Sequence, residues 1–176
     1  MKILIVGNGA RESALALKLR DDSRISKLYF AKGTVTTAEL GQNVYDESVE
    51  GLRDFAIKER IDLTIVGPEA PLVEGIVDEF KKHGLKIFGP EKRAAELEGS
   101  KAFSKKFMQT NNIKTAKAVV FDAYHDAIEY VRNQKFPIVI KASGLAGGKG
   151  VVIADNLTEA ESTIHKFMFE RIYGDA

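Results

Sequence analysis

The sequence predicts an α/β protein in two parts, a parallel-sheet domain followed by a smaller α+β domain. Short apolar segments alternate with amphipathic helical segments through residues 1–90, and several of the apolar segments end in glycine or proline. Strand and helix in alternation with short connections are typical of right-handed βαβ units and a parallel sheet. After Asn111-Asn112 the order changes, because two apolar segments follow each other with only a glycine-rich loop between them. That order is typical of a β-hairpin, so the second part is not a continuation of the parallel sheet.

The elements of the first part follow from the spacing of apolar residues. Short apolar runs predict strands at residues 3–6, 27–31, 43–45, 63–66 and 86–88. Apolar residues at helical spacing predict helices at residues 12–20, 48–59 and 73–83. In the helix at 12–20 we expect Ala14, Leu15, Ala16, Leu17 and Leu19 to crowd one side. A charged helical stretch at residues 91–111, broken at Gly99-Ser100, closes this part and leads out of it.

The second part is predicted to contain three strands and two helices. The strands are expected at residues 118–121, 138–142 and 151–154. Asp122 is expected to cap a helix that runs to about residue 134. Thr158 and Glu161 have the spacing of a capping box, which predicts the start of a helix that runs to about residue 171.

The composition excludes several classes of protein. Of the 176 residues, 44% are hydrophobic and 29% are charged, which is too apolar for a disordered chain. The 26 basic and 25 acidic residues nearly cancel, so composition gives no indication of a nucleic-acid partner. The lack of cysteine and the three scattered histidines disfavour disulfides and metal clusters. No apolar run approaches a membrane span or a signal-peptide core, so we expect a cytoplasmic protein without a membrane partner.

The first candidate site is the turn at residues 7–12 (GNGARE), after the first predicted strand. Such a turn lies at the carboxyl edge of a parallel sheet, where helix N-termini point N–H groups at anions and Arg11 adds a positive charge. A dinucleotide site requires G-x-G-x-x-G/A and an acid at the end of the second strand. Glu12 stands at the third glycine position and the second strand ends in Phe30-Ala31, which disfavours NAD binding. Phosphate binding and a tight turn that merely needs glycine remain as alternatives.

The second candidate site is the turn at residues 67–72 (GPEAPL), after the strand at 63–66. This turn falls at the same carboxyl edge as the first, where Glu69 could accept a hydrogen bond from a ligand hydroxyl. The alternative is a proline-stiffened turn in which Glu69 lies near a helix N-terminus, where acidic residues are favoured anyway.

The third candidate site is the segment at residues 141–150 (KASGLAGGKG), between two predicted strands. A phosphate-binding loop of the G-x-x-x-x-G-K-[ST] type needs a glycine where Ser143 stands, a hydroxyl residue where Gly150 stands, and a following helix. A glycine-rich loop between two strands fits instead a mobile flap whose N–H groups cover nucleotide phosphates. Lys141 and Lys149 would neutralise phosphate charge. A flexible hairpin tip explains the glycines but not the lysine among them.

Four longer segments together resemble the phosphoribosylamine–glycine ligase (glycinamide ribonucleotide synthetase) family of the ATP-grasp superfamily. They are GNGARESALA at residues 7–16, IDLTIVGPEAPLVEGIVDEF at 61–80, IFGPEKRAAELEGSKAFSKKFM at 87–108 and PIVIKASGLAGGKGVVIA at 137–154. The resemblance implies a Rossmann-like pre-ATP-grasp domain at residues 1–100, a connecting helix and linker at 101–115, and part of the small ATP-covering lid domain at 116–176.

The resemblance also implies an activity and its substrates. ATP activates the carboxylate of glycine as glycyl phosphate, and the amine of 5-phosphoribosylamine attacks it to give glycinamide ribonucleotide in purine biosynthesis. Lysines and Mg²⁺ (or Mn²⁺) would stabilise the charge on the transferring phosphoryl group. The implied partners are these small molecules, with neither nucleic acid nor membrane.

Site residues carried over from the family fall into three groups. The phosphate end of phosphoribosylamine would be held by Gly7, Asn8, Gly9, Arg11 and Glu12. Its ribose site would be shaped by Gly67, Glu69 and Pro71. ATP would be bound by Lys101 and Lys141 and covered by the flap of Gly144, Leu145, Ala146, Gly147, Gly148, Lys149 and Gly150. No metal ligand is expected in this chain, since the Mg²⁺-binding acids are expected beyond Ala176.

The chain departs from the family pattern in sequence and in length. Ala10 and Ser13 stand where the family has glycine and histidine, Lys32 where proline is usual, and Ser143 where aspartate is common. Family members are more than twice as long, so we expect an N-terminal fragment that is inactive as a ligase by itself, with the C-terminal half of the enzyme as a partner. No complete catalytic set is expected within it.

Three other functions compete with this hypothesis. The chain could be a non-catalytic phosphosugar- or nucleotide-binding module, or part of another ATP-grasp ligase such as a purine-pathway carboxylase. The segment GPEAPLVEGIVDEF favours the glycine ligase over that second alternative. A nicotinamide oxidoreductase is disfavoured by the first turn.

Overall fold

The computed structural model describes residues 1–174 and 176 and divides into two compact units, Met1–Ala95 and Glu96–Ala176. The first unit is an α/β unit with a five-stranded sheet, and the second is a smaller α+β unit with a two-stranded sheet. The predicted fold class is therefore confirmed.

All strand pairs of the first unit are parallel. The strands are β1 (Lys2–Val6), β2 (Lys27–Ala31), β3 (Gln42–Val44), β4 (Leu63–Val66) and β5 (Ile87–Phe88), in the order β3-β2-β1-β4-β5. The helices are α1 (Ala10–Arg20), α2 (Val35–Ala38), α3 (Val49–Glu59), α4 (Glu69–Glu74) and α5 (Ile76–Lys82), and α6 (Lys92–Gly99) begins in the first unit and ends in the second. The predicted parallel sheet is confirmed, and the short helix α2 is an addition to it.

The sheet of the first unit is covered on both faces, as expected for parallel strands without a solvated side. One face carries a large apolar cluster that includes Leu4, Tyr29, Leu52 and Phe80. The other face carries a smaller cluster that includes Ile5. Alternate residues of β1 thus enter different clusters, because successive side chains of a strand point to opposite faces.

Two helices of the first unit differ from the expectation. The helix predicted at residues 73–83 is divided, because Gly75 adopts a left-handed conformation with φ of 102° between α4 and α5. In α1, Ala16 is fully buried while Leu15 and Leu17 are 38% and 50% exposed. Consecutive helical residues point about 100° apart, so the predicted crowding of all five apolar residues on one side was wrong.

The second unit contains a β-hairpin packed on helices. Its elements are α7 (Lys101–Thr110), α8 (Tyr124–Arg132), β6 (Ile138–Lys141), β7 (Val151–Ala154), α9 (Leu157–Ile164) and a π-helical turn (His165–Phe169). β6 and β7 pair antiparallel, with Ile138 opposite Ala154, which confirms the predicted hairpin. Its core contains Ile128, Ala154 and Ile164.

Three local expectations for the second unit were wrong. Residues 118–121 form no strand and pair with no other strand in the part of the chain that is described. Their apolar pattern is typical of a strand, but no neighbouring strand forms hydrogen bonds with them. α8 starts after Ala123 rather than Asp122. α9 is capped by Asn156, whose side chain accepts a hydrogen bond from the Glu159 N–H at 3.0 Å, rather than by Thr158. The predicted helix break at Ser100 is confirmed.

Candidate functional site

Two loops of the first unit meet at the carboxyl edge of the sheet. One follows β1 and the other follows β4, and these strands are neighbours in register, with Val6 opposite Val66. The Gly67 N–H donates to the Val6 carbonyl at 3.0 Å and joins the start of one loop to the end of the other strand. The two turns that the sequence singled out are therefore adjacent in space.

The exposed layer of this edge holds a charged pair. The Arg11 guanidinium lies 3.6 Å from a carboxylate oxygen of Glu69, and the two side chains are 71% and 42% exposed. An exposed pair at this distance contributes little to stability. Both groups are therefore available to a ligand that offers them better partners.

The Glu12 side chain is buried at the same edge of the sheet. It is only 2% exposed, although it belongs to the first turn of α1. One carboxylate oxygen accepts a hydrogen bond from the Gly9 N–H at 2.5 Å. The other is buried and has no hydrogen-bond partner among the described residues.

Three glycines of the two loops surround the Glu12 side chain. A Cβ atom at Gly7 or Gly9 would lie 2.9 Å from atoms of Glu12, and one at Gly67 would lie 1.8 Å from its unpartnered oxygen. Gly7 also has φ of 115°, a conformation that side chains with a Cβ rarely adopt. Packing around Glu12 is thus one physical reason for glycine at these positions.

The start of α1 offers backbone donors at the same edge. Gly9 is the N-cap residue and supplies no side-chain cap, and Asn8 beside it is exposed. The first N–H groups of a helix carry partial positive charge and suit an anion. Pro71 lies in the first turn of α4, where its missing N–H breaks no helical hydrogen bond.

The second unit holds the glycine loop that joins β6 to β7. Gly147 and Gly148 have φ of 56° and 77°, and a Cβ atom at either would meet nothing within 4 Å. The tip of the loop, Lys149 included, is open to solvent, whereas Gly150 at its end is buried. The Ala142 N–H donates to the Gly150 carbonyl at 2.8 Å and closes the base of the loop.

Lys101 and Lys141 are both placed at this loop. Lys141 ends β6, opposite Val151, and its side chain is exposed. The Lys101 ammonium donates to the Gly144 carbonyl at 2.9 Å. Two lysines that are 40 positions apart in sequence therefore approach the same loop, although only Lys141 belongs to a motif of that loop.

Two further residues hold the glycine loop, and no pattern in the sequence predicts either role. The Ser143 hydroxyl accepts from the Ala102 N–H at 3.1 Å, and its carbonyl accepts from the Lys101 N–H at 2.7 Å. The Tyr173 hydroxyl donates to the Lys149 carbonyl at 2.7 Å. All three contacts join residues more than twenty positions apart, which a local pattern does not predict.

The outer face of the hairpin is apolar next to Lys141. Val139 and Ile153 lie directly opposite each other and are 56% and 64% exposed, and Val151 is 44% exposed. Alternation places these three side chains and Lys141 on one face. An apolar face that ends in a lysine has the chemistry to accept a ring with a phosphate attached.

An open cleft of about 570 Å³ in the first unit contains none of the predicted site residues. It is lined by Ser48, Val49, Glu50, Glu74, Gly75, Asp78, Glu79, Lys82 and Lys92. The Glu79 carboxylate, which lines this cleft, accepts a hydrogen bond from the Arg53 guanidinium at 2.5 Å, and this bond holds the pKa of the carboxyl below its ordinary value. Among the described residues no group of three or more acidic or histidine side chains could hold a metal ion.

The two halves of the chain match two neighbouring family models. Residues 1–98 match the N domain of phosphoribosylglycinamide synthetase, and residues 99–176 match its ATP-grasp (A) domain. A phosphoribosylamine–glycine ligase from Clostridium acetobutylicum is 51% identical over 175 residues, which is 98% of this chain and 42% of that protein. The ligase from Escherichia coli K12 is 49% identical over 100% of this chain. The chain spans about 42% of the length of these curated relatives.

Solved structures carry the same fold. The crystal structure of a phosphoribosylamine–glycine ligase from Thermotoga maritima matches 99% of this chain and 41% of its own with a TM-score of 0.76 and 29% identity. The biotin carboxylase domain of the Hydrogenobacter thermophilus 2-oxoglutarate carboxylase matches with a TM-score of 0.73 at 18% identity, which shows the fold alone.

In the described part of the chain, no helix is both long and apolar enough to cross a membrane.

The two loops at the sheet edge lie within the residues that match the N domain, and the glycine loop of the hairpin lies within the residues that match the ATP-grasp domain. The chain belongs to the phosphoribosylglycinamide synthetase family.

Proposed function

We propose that this chain supplies the phosphosugar site and the nucleotide flap of an ATP-dependent phosphoribosylamine–glycine ligase. The observation that carries the proposal is the meeting of Arg11 and Glu69, from loops 58 positions apart in sequence, at the carboxyl edge of adjacent parallel strands. Open α/β sheets bind ligands at this edge. The family of the chain favours 5-phosphoribosylamine as that ligand.

The two loops would divide the phosphosugar between them. Its phosphate would accept hydrogen bonds from the backbone N–H groups at the start of α1, beginning with Ala10, and from the Arg11 side chain, while the Gly9 N–H remains bonded to Glu12. Glu69 would then exchange its weak pair with Arg11 for the ribose hydroxyls. Asn8, Gly67 and Pro71 would form the remaining walls, and Glu12 would contribute through the first turn of α1.

The hairpin would hold ATP. The exposed face of Val139 and Ile153 would contact the adenine ring, and the loop of residues 144–150 would place its N–H groups over the phosphates. Lys141 would pair with phosphate oxygens, and Lys101 would exchange the Gly144 carbonyl for a phosphate oxygen. A charged acceptor makes the stronger hydrogen bond, so this exchange is favourable.

The reaction would proceed in two displacements in the whole enzyme. A carboxylate oxygen of glycine attacks the terminal phosphorus of ATP and ADP leaves, and the amine of phosphoribosylamine then attacks the acyl carbon and phosphate leaves. The lysines of this chain would stabilise the phosphoryl charge in the first step, and the sheet edge would orient the amine for the second. Among the described residues, no cluster of acidic or histidine side chains fits a magnesium site.

The proposal divides the chain as a pre-ATP-grasp domain at residues 1–100, a connection at 101–115 and part of the lid domain at 116–176. Other partners of the whole enzyme would be its remaining C-terminal portion and the small-molecule substrates. A cysteine-free chain fits a reducing compartment, so we propose the cytoplasm as its location.

Calorimetric titration with ribose 5-phosphate, a stable relative of the unstable amine, tests the phosphosugar site. We expect Arg11→Ala to weaken binding by about tenfold or more, since a charge-assisted pair to phosphate is lost. Arg20→Ala, at the other end of α1, is the matched control and should bind as the unchanged chain does. Equal binding by both variants would contradict the proposal.

A further inference from the structure

The Glu12 side chain lies in a position that no direct contact with a phosphate explains. A carboxylate repels a phosphate, and this carboxylate is almost completely buried. A buried charged oxygen without a hydrogen bond costs free energy of folding. Groups that depart from full hydrogen bonding in this way are expected at functional sites.

We propose that Glu12 is a positioning residue that sets the relative placement of the two substrate loops. This inference rests on the proposed function, since it assigns those loops to the phosphosugar. Glu12 fixes the first loop through its hydrogen bond to the Gly9 N–H. It limits the approach of the second loop through contact with Gly67, where a Cβ atom would come within 1.8 Å of its free oxygen.

The placement of the two loops by Glu12 has a consequence for the exposed side chains of Arg11 and Glu69. Arg11 precedes Glu12 in the first turn of α1, and Glu69 follows Gly67 by two positions. When Glu12 holds Gly9 and Gly67 at a fixed separation, it also fixes the backbone positions of Arg11 and Glu69. The distance between the guanidinium and the carboxylate is limited as a result. The spacing of the phosphate group and the ribose hydroxyls within one ligand is fixed too, so the separation of the loops selects a sugar phosphate over either part alone.

The test compares two substitutions of Glu12 with a control. Glu12→Ala removes both the hydrogen bond and the volume between the loops, and we expect ribose 5-phosphate to bind about tenfold more weakly or worse. Glu12→Gln keeps the shape and one acceptor but removes the buried charge. We expect its melting temperature to be unchanged or higher, while its affinity falls by a smaller factor of about three to ten.

Leu52→Ala is the control for a purely structural effect. Leu52 is buried in the core of the same unit, away from the two loops in sequence, and its truncation lowers stability through a cavity. Titrations are done at a temperature where every variant is folded. The proposal is overturned if Glu12→Ala binds ribose 5-phosphate as the unchanged chain does, or if Leu52→Ala loses as much affinity.

A measurement without ligand separates this inference from the proposed function. The amide proton signals of Gly9 and Gly67 report the two loop backbones directly by nuclear magnetic resonance. We expect both to shift in Glu12→Ala and to stay in place in Leu52→Ala. Unchanged signals in Glu12→Ala overturn the positioning role. Shifted signals in a chain that does not bind ribose 5-phosphate support the positioning role and overturn the phosphosugar as the ligand.

Discussion

At the scale of single residues, the glycines at the sheet edge are required partly by a neighbouring side chain, the buried Glu12, and not only by the conformation of their own turns. A glycine-rich turn after a buried strand is visible in sequence, because few residues tolerate φ of 115° as Gly7 does. The burial of Glu12 is not visible, since an acidic residue in the first turn of a helix is ordinary and normally solvated. Its burial depends on Gly67, which lies 55 positions away and reaches it only in the folded sheet.

Ser143 allows a prediction at the same scale. Its hydroxyl accepts from the Ala102 N–H at the start of α7, where the helix carries partial positive charge. Ser143→Asp should therefore raise the free energy of unfolding of the second unit by about 0.5–1 kcal/mol. Ser143→Ala should lower it by about 1 kcal/mol. Urea unfolding followed by circular dichroism measures both.

The comparison needs a control for added charge. Ser162 is exposed within α9, far from that helix's N-terminus, so Ser162→Asp should not stabilise the chain. If Ser143→Asp and Ser162→Asp change stability alike, the contact with the start of α7 is not responsible.

At the scale of elements, the hairpin of β6 and β7 could be predicted because its two strands and its loop are consecutive in sequence. Residues 118–121 have an equally apolar pattern, yet they form no strand, because a strand also needs a neighbour that supplies hydrogen bonds. The division between α4 and α5 escaped prediction for a different reason. Apolar spacing continues across Gly75, and only the backbone conformation of that glycine ends the first helix.

The contact between α3 and α5 predicts a dependence of stability on pH. Arg53 on α3 bonds Glu79 on α5, and both side chains are 20% exposed. The hydrogen bond from Arg53 lowers the pKa of Glu79 from its ordinary value of 4.5. The unfolded chain then binds more protons than the folded chain in acid, so this contribution is fully present above about pH 4.5 and is lost as pH falls through the folded-state pKa.

Substitution of Glu79 should therefore flatten the acid limb of the stability curve. Glu79→Gln should lose stability at pH 7 and show a smaller further loss between pH 5 and pH 3 than the unchanged chain, in urea unfolding at a series of pH values. Glu91→Gln removes the exposed pair of Glu91 with Lys81 and is the matched control. A steep acid limb that persists in Glu79→Gln would show that other carboxyls cause it.

At the scale of the whole molecule, the chain consists of two units with separate apolar cores. The first unit contains all five strands of its sheet and apolar clusters on both faces. Residues 1–100 expressed alone, which keep α6 whole, should therefore unfold in one cooperative transition in urea. Residues 1–60, which lack β4 and β5, should not. A broad, gradual loss of structure in residues 1–100 would mean that this unit needs the rest of the chain.

The order of the strands has a consequence for synthesis on the ribosome. β1 is made before the other four strands of this sheet, and it becomes the centre of the sheet, with β2 on one side and β4 on the other. Until residue 66 has left the exit tunnel, one edge of this apolar strand has no neighbour to pair with. Unpaired apolar strands are prone to aggregate or to be bound by chaperones. The nascent first unit therefore stays vulnerable for most of its own translation and completes its sheet only near its end.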